Sequence, residues 1–112
     1  MNYASFLARC LGKEEFARKV MRDFQGQVEG DLDALRKAAS RGDGAQVREL
    51  AHRIKGASAN LSAMPLSKLA NEVECLGQAG ALSSASERIG SLCCEYQRLR
   101  AHMDDAVLNA AA

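Results

Sequence analysis

Apolar residues recur at steps of three and four along most of the chain, the mark of helices that each bury one face. The longest such register begins at Lys13 and passes through Phe16, Val20, Phe24, Val28, Leu32, Leu35 and Ala39, with charged residues filling the gaps. Gly26 and Gly30 fall inside it and are candidate points for a kink or partial break. Arg41-Gly42-Asp43-Gly44 ends the run, with Gly42 as the C-terminal stop and Asp43 as the N-cap of the next helix. That next helix spans Gly44 to about Leu61 and carries Val47, Leu50, Ala51, Ile54, Ala57, Ser58 and Leu61 on one stripe. A further helix starts at or near Ser62 and tolerates Pro65 in its first turn. It turns Leu66, Leu69, Ala70, Val73 and Leu76 inward and ends in Gly77-Gln78-Ala79-Gly80. Ser83 or Ser84 caps the last helix, whose core stripe is Ile89, Leu92, Cys93, Tyr96, Leu99, Met103 and Val107. Ahead of them all, residues 2–11 read as a short helix capped by Asn2 and closed by Gly12, with Phe6, Leu7 and Leu11 covering one end of the assembly. The terminal Asn109-Ala110-Ala111-Ala112 is expected to fray.

Short connections make successive helices antiparallel neighbours. The pattern therefore predicts an all-α fold: an antiparallel up-down-up-down four-helix bundle with a short N-terminal covering helix, a single domain over residues 1–112. Composition sharpens this. Of 112 residues, 47% are hydrophobic, which suffices for one core, and with no Trp, three Phe and two Tyr that core is aliphatic. A single proline and few β-branched residues argue against a sheet.

A net charge of +1 with no basic stripe argues against nucleic acid as a partner. No apolar run reaches membrane-spanning length, and Met1-Asn2-Tyr3-Ala4 lacks a signal peptide's apolar core. A cytoplasmic, monomeric protein without membrane insertion is expected. Cys10, Cys75, Cys93 and Cys94 show no C-x-x-C spacing, and with only two histidines they make a poor zinc set; free thiols are expected.

The chemistry concentrates on His52. At about 100° per residue it falls roughly 160° from the middle of its helix's apolar stripe, so its imidazole faces water. Lys55 and Gly56 stand one turn on, and Arg48 and Ala59 share the same outer side. A glycine inside a helix costs about 1 kcal/mol relative to alanine. On an outer face no packing within the chain offsets that, so the open space beside His52 suits the approach of a large partner. A neutral imidazole is a competent nucleophile near pH 7; if it attacks a phosphoryl group, Lys55, a turn away, can offset the charge that gathers on the incoming oxygens. No metal cage or second base accompanies the histidine, so a partner must supply most of the catalytic machinery. His102, also on a polar face, has no such surroundings and reads as solvated surface. Arg48 and Arg53 read as solubility charges, with a share in docking left open.

The run Ala51-His52-x-x-Lys55-Gly56-x-Ser58-x-x-Leu61-x-Ala63-x-x-Leu66-x-x-Leu69, followed by Glu74, resembles the signature of histidine-containing phosphotransfer (HPt) domains. The likeness covers about two turns of one helix and most of the next. It implies a phosphorelay carrier, not an enzyme. His52 would accept a phosphoryl group from a receiver-domain aspartate and pass it to another receiver, with Mg²⁺ bound by the receiver and no cofactor of its own. By motif position Lys55 would be the stabilising cation and Gly56 the small residue that permits docking. Glu74 would be a polar neighbour able to orient the imidazole by a hydrogen bond. The chain departs from the family pattern at Ser62, where glycine is frequent, and at Ala70, where cysteine is frequent. The first bears on turn geometry and the second on packing. Stand-alone carrier, terminal domain of a hybrid sensor kinase and chemotaxis-kinase domain all remain compatible. Two other readings compete: a helical interaction module that docks a receiver without carrying phosphate, and a metal-binding bundle. The intact histidine argues against the first. The lack of a carboxylate-x-x-His pair argues against the second.

Overall fold

The computed structural model describes residues 1–111. It has five helices: α1 (Tyr3–Arg9), α2 (Glu14–Ser40), α3 (Gly44–Asn60), α4 (Met64–Gln78) and α5 (Leu82–Ala111); no strand occurs among the described residues. Local chemistry sets most of the boundaries. The Asn2 and Asp43 side chains accept hydrogen bonds from the Ser5 and Gln46 backbone N–H groups at 3.2 and 3.1 Å, satisfying donors that a helix start leaves orphaned. Gly42 and Gly80 take the left-handed conformation, φ +75° and +73°, that closes α2 and α4. Gly26 and Gly30 do not break α2, which is helical throughout.

Three boundaries differ from the sequence reading. Ser62 adopts φ +56°, so the turn between α3 and α4 uses the conformation that glycine takes most cheaply, and α4 starts two residues later at Met64. Ser83 and Ser84 lie inside the first turn of α5 and cap nothing: the helix starts at Leu82, and the Ala81 carbonyl accepts from the Ala85 N–H at 2.9 Å. Fraying from Asn109 is not seen, since α5 continues to Ala111; Ala112 lies outside the described residues.

Packing follows the apolar stripes. α3 and α4 form the closest pair, α2 packs on α3 and α5, and α4 packs on α5. Val28, Leu35, Val47, Ile54, Leu66, Val73, Leu92 and Met103 are sealed in the shared interior. Tyr96 joins them, and its hydroxyl donates to the Glu29 carboxylate at 2.6 Å, with the Gln25 carbonyl 3.3 Å away. Arg100 pairs with the same carboxylate, so a polar clasp ties α5 to α2. Burial first, then Glu29, pushes the Tyr96 phenol well above its usual range, which keeps it a hydrogen-bond donor.

Helix length shapes the molecule. α2 and α5 have 27 and 30 residues and α3 and α4 only 17 and 15. At 1.5 Å per residue the long pair overruns the short pair by roughly 15–20 Å, and the whole is 46 Å long and 19 Å wide. Two core assignments fail for this reason and a related one. Phe16 continues the stripe of α2, but α3 and α4 are too short to flank α2 along its full length, and the ring is 52% exposed. Leu11 takes φ +58° in the turn after α1, which swings its side chain outward to 81% exposure. Phe6 is buried as expected, and Leu7 is partly so. Among the described residues no helix is long and apolar enough to cross a membrane.

Candidate functional site

The site is built where α3 meets α4. Along α3, Ala51, Ile54 and Ser58 are wholly buried, and the Ser58 hydroxyl is satisfied by the Ile54 carbonyl at 2.6 Å. With that face fixed inward, His52 must point out, and its side chain is 65% exposed. Two features draw α4 against α3. The Ser67 hydroxyl donates to the Lys55 carbonyl at 3.2 Å. At the other end the helices touch through glycines: a Cβ built on Gly77 would lie 2.8 Å from Val47 Cγ1, 3.0 Å from the Arg48 nitrogen and 3.1 Å from the Gly44 carbonyl oxygen. Such a backbone approach needs the missing side chain.

Glu74 sits one turn before Gly77 on α4 and is brought to α3 by this contact. Its carboxylate bridges two of the predicted residues: Oε2 lies 3.1 Å from His52 Nδ1, and Oε1 lies 2.6 Å from Lys55 Nζ. Lys55 also donates to Asn71 Oδ1 at 3.3 Å. Hydrogen bonding to the Lys55 ammonium is the main cause that holds the Glu74 carboxyl below its ordinary range. Partial burial opposes it, and His52 reinforces it. An ionised carboxylate only accepts, so the shared proton belongs to His52 Nδ1. In the neutral ring Nε2 then keeps its lone pair.

This has a measurable consequence. A carboxyl lowered by folding contributes stability that is fully present above its unfolded value, here about 4.5, and is lost as pH falls through the folded value. Thermal melting of the wild-type chain and of Glu74→Gln is therefore expected to differ at neutral pH and to converge only as pH falls below the lowered folded-state value.

Gly56 is exposed, and beyond its own stretch of helix backbone nothing lies within 4 Å of a Cβ built on it. The structure thus brings His52, Lys55 and Glu74 into contact and leaves Gly56 beside them as open surface. Arg48 is exposed and His102 lies elsewhere, lining a shallow depression with Met1, Ala63 and Leu99. Cys75 and Cys94 are exposed, Cys10 and Cys93 buried. Among the described residues no three His, Cys, Asp or Glu side chains are grouped to hold a metal. Sequence reasoning missed Asn71, although it stands one turn before Glu74 on the same face. It also missed Asp31, a carboxylate set in the apolar stripe of α2, whose Oδ1 accepts from Arg53 Nη2 at 2.9 Å.

A water-facing histidine on a helical bundle, backed by a carboxylate and a cation, defines a class that the comparison with known families makes specific. Residues 19–107 match the Hpt domain model, and the chain belongs to the Hpt domain family. Members of that family are phosphocarriers in two-component signalling and interact with receiver domains. No curated protein and no solved structure matches the chain.

Proposed function

We propose that residues 1–112 form one phosphorelay carrier domain in which His52 is the phosphorylated residue. The observation that carries this reading is the Glu74 contact at Nδ1, which leaves Nε2 as the nucleophile. The Nε2 lone pair attacks the phosphorus of an aspartyl phosphate on a receiver domain. The bond from phosphorus to the aspartate oxygen breaks, and the carboxylate departs with the electron pair. The product ring keeps its Nδ1 proton and carries a positive charge, which Glu74 offsets. Lys55 serves the phosphoryl oxygens. Mg²⁺ belongs to the receiver, which adds charge neutralisation beyond what Lys55 offers. Delivery to a second receiver is the same step reversed. α2 to α5 alternate in direction, as their short links and mutual packing favour, and the carrier is a cytoplasmic monomer.

The test is a transfer profile. Phosphorylated receiver domains with Mg²⁺ are expected to label the chain on one histidine, and the label should be acid-labile and alkali-stable, as phosphoramidates are. Absence of any label from every receiver, and from a small phosphoramidate donor, would sink the proposal. Gly56 provides a second check. Its replacement by Ala meets nothing in the chain, so helix propensity alone is expected to raise stability by about 1 kcal/mol. If a partner occupies that space, the same substitution slows transfer from a receiver. A variant more stable and equally fast would remove Gly56 from the docking surface.

A further inference from the structure

His52 stands between two cations tethered in the same manner. On the α4 side Lys55 is held by Glu74. On the α2 side Arg53 is held by Asp31, with Nη2 to Oδ1 at 2.9 Å. The phosphoryl step uses the first pair and leaves the second unexplained.

Asp31–Arg53 makes a poor stabilising device. Asp31 is only 6% exposed, and burial raises its carboxyl more than Arg53 lowers it. Its second oxygen is buried without a hydrogen-bond partner. Apolar side chains of the same volume often stabilise a fold as well as a buried carboxylate and its partner do. Arg53, in contrast, keeps 57% of its side chain exposed. A buried carboxylate thus grips one edge of a guanidinium whose other donors remain available to a partner, one residue from His52. Untethered, an exposed arginine spreads its charge over many rotamers; tethered, the charge has one address on the seam between α2 and α3. Beside His52 and Arg53, the surface at Gly56 is uncrowded.

We infer that Arg53 is a docking residue for an acidic partner surface, and that Asp31 is the positioning residue that holds it in place. The inference rests on the proposed function, which also supplies the partner's chemistry. A protein that delivers phosphate from an aspartate with Mg²⁺ must gather carboxylates around that ion. The surface it brings to His52 is therefore acidic, and a fixed cation at the edge of the contact complements it. With Arg53 held by Asp31 and Lys55 serving the phosphoryl oxygens, Arg53 acts on attachment and not on the chemical step.

The test measures transfer from the receiver domain that labels the wild-type chain fastest, as a function of receiver concentration. Arg53→Ala is expected to raise the half-saturating concentration about tenfold and to leave the maximal rate within about twofold. Labelling of His52 by phosphoramidate should be unchanged. Asp31→Leu, and the isosteric Asp31→Asn, should raise the same concentration by a smaller factor, and neither should add to the effect of Arg53→Ala. Half-saturation unmoved in Arg53→Ala overturns the docking role. Additive effects of the two sites overturn the positioning role, because they mean that Asp31 acts through the fold. Loss of phosphoramidate labelling in the wild-type chain would instead refute the functional reading and this inference with it.

Discussion

Replacing His52 by Gln is expected to abolish phosphoryl acceptance from every receiver while leaving the fold nearly untouched. Both halves of that expectation follow from geometry. The imidazole is 65% exposed and, among the described residues, its side-chain hydrogen bond is to Glu74, so its loss removes little packing. Surface substitutions of this kind change stability by about 0.5 kcal/mol or less. Glutamine can still donate a hydrogen bond to the Glu74 carboxylate, yet its amide nitrogen is no nucleophile. Helix content by circular dichroism and the melting temperature should therefore match the wild type while radiolabel falls to background. Retained label in the variant would move the phosphorylated position to another residue, and His102 would be the first to examine.

The second large effect falls on the fold. Gly77→Ala is expected to destabilise the chain by about 2 kcal/mol, the usual penalty for forcing a methyl into a filled space. The added carbon would press on Val47 and, less forgivingly, on the backbone of Arg48 and Gly44. Backbone cannot rotate aside as a side chain can, so the helices must separate. Glu74 lies one turn away, and any separation pulls it from His52; transfer should slow along with the loss of stability. Equilibrium urea unfolding of the variant reads the first effect directly. Gly56→Ala offers a contrast, since the same substitution is expected to act with opposite sign on stability at the two glycines. A Gly77→Ala variant as stable as wild type would mean that α3 and α4 are not locked at this crossing.

Much of this was legible before any coordinates. The helix register of α3 follows from Val47, Leu50, Ala51, Ile54 and Ser58, all of which are buried, and once that face is fixed the exposure of His52 follows from the helical repeat. The contact between Glu74 and His52 was legible as a possibility from the wheel of α4. Its second contact, to Lys55, was not, because wheel geometry says which face a residue occupies and not how far its neighbour stands. The errors have two causes. Phe16 obeys the period of α2 perfectly, but periodicity reports what a helix offers and not whether a partner helix is long enough to take it. Leu11 and Ser62 were misjudged because their conformation is set by the turn in which each sits, and neither is the glycine that would have signalled it. The Asp31–Arg53 pair broke the pattern visibly, as a charge in an apolar stripe, and that irregularity was the available clue.

The exposure of His52 on an outward face also limits how the molecule can be used. In the proposed carrier one ring nitrogen, Nε2, meets both donor and recipient, so it offers a single seat. A donor and a recipient cannot occupy that seat together, and no three-protein assembly bridged by the ring can form. Traffic through such a carrier must alternate, one visitor leaving before the next arrives, and its throughput is bounded by how fast partners exchange.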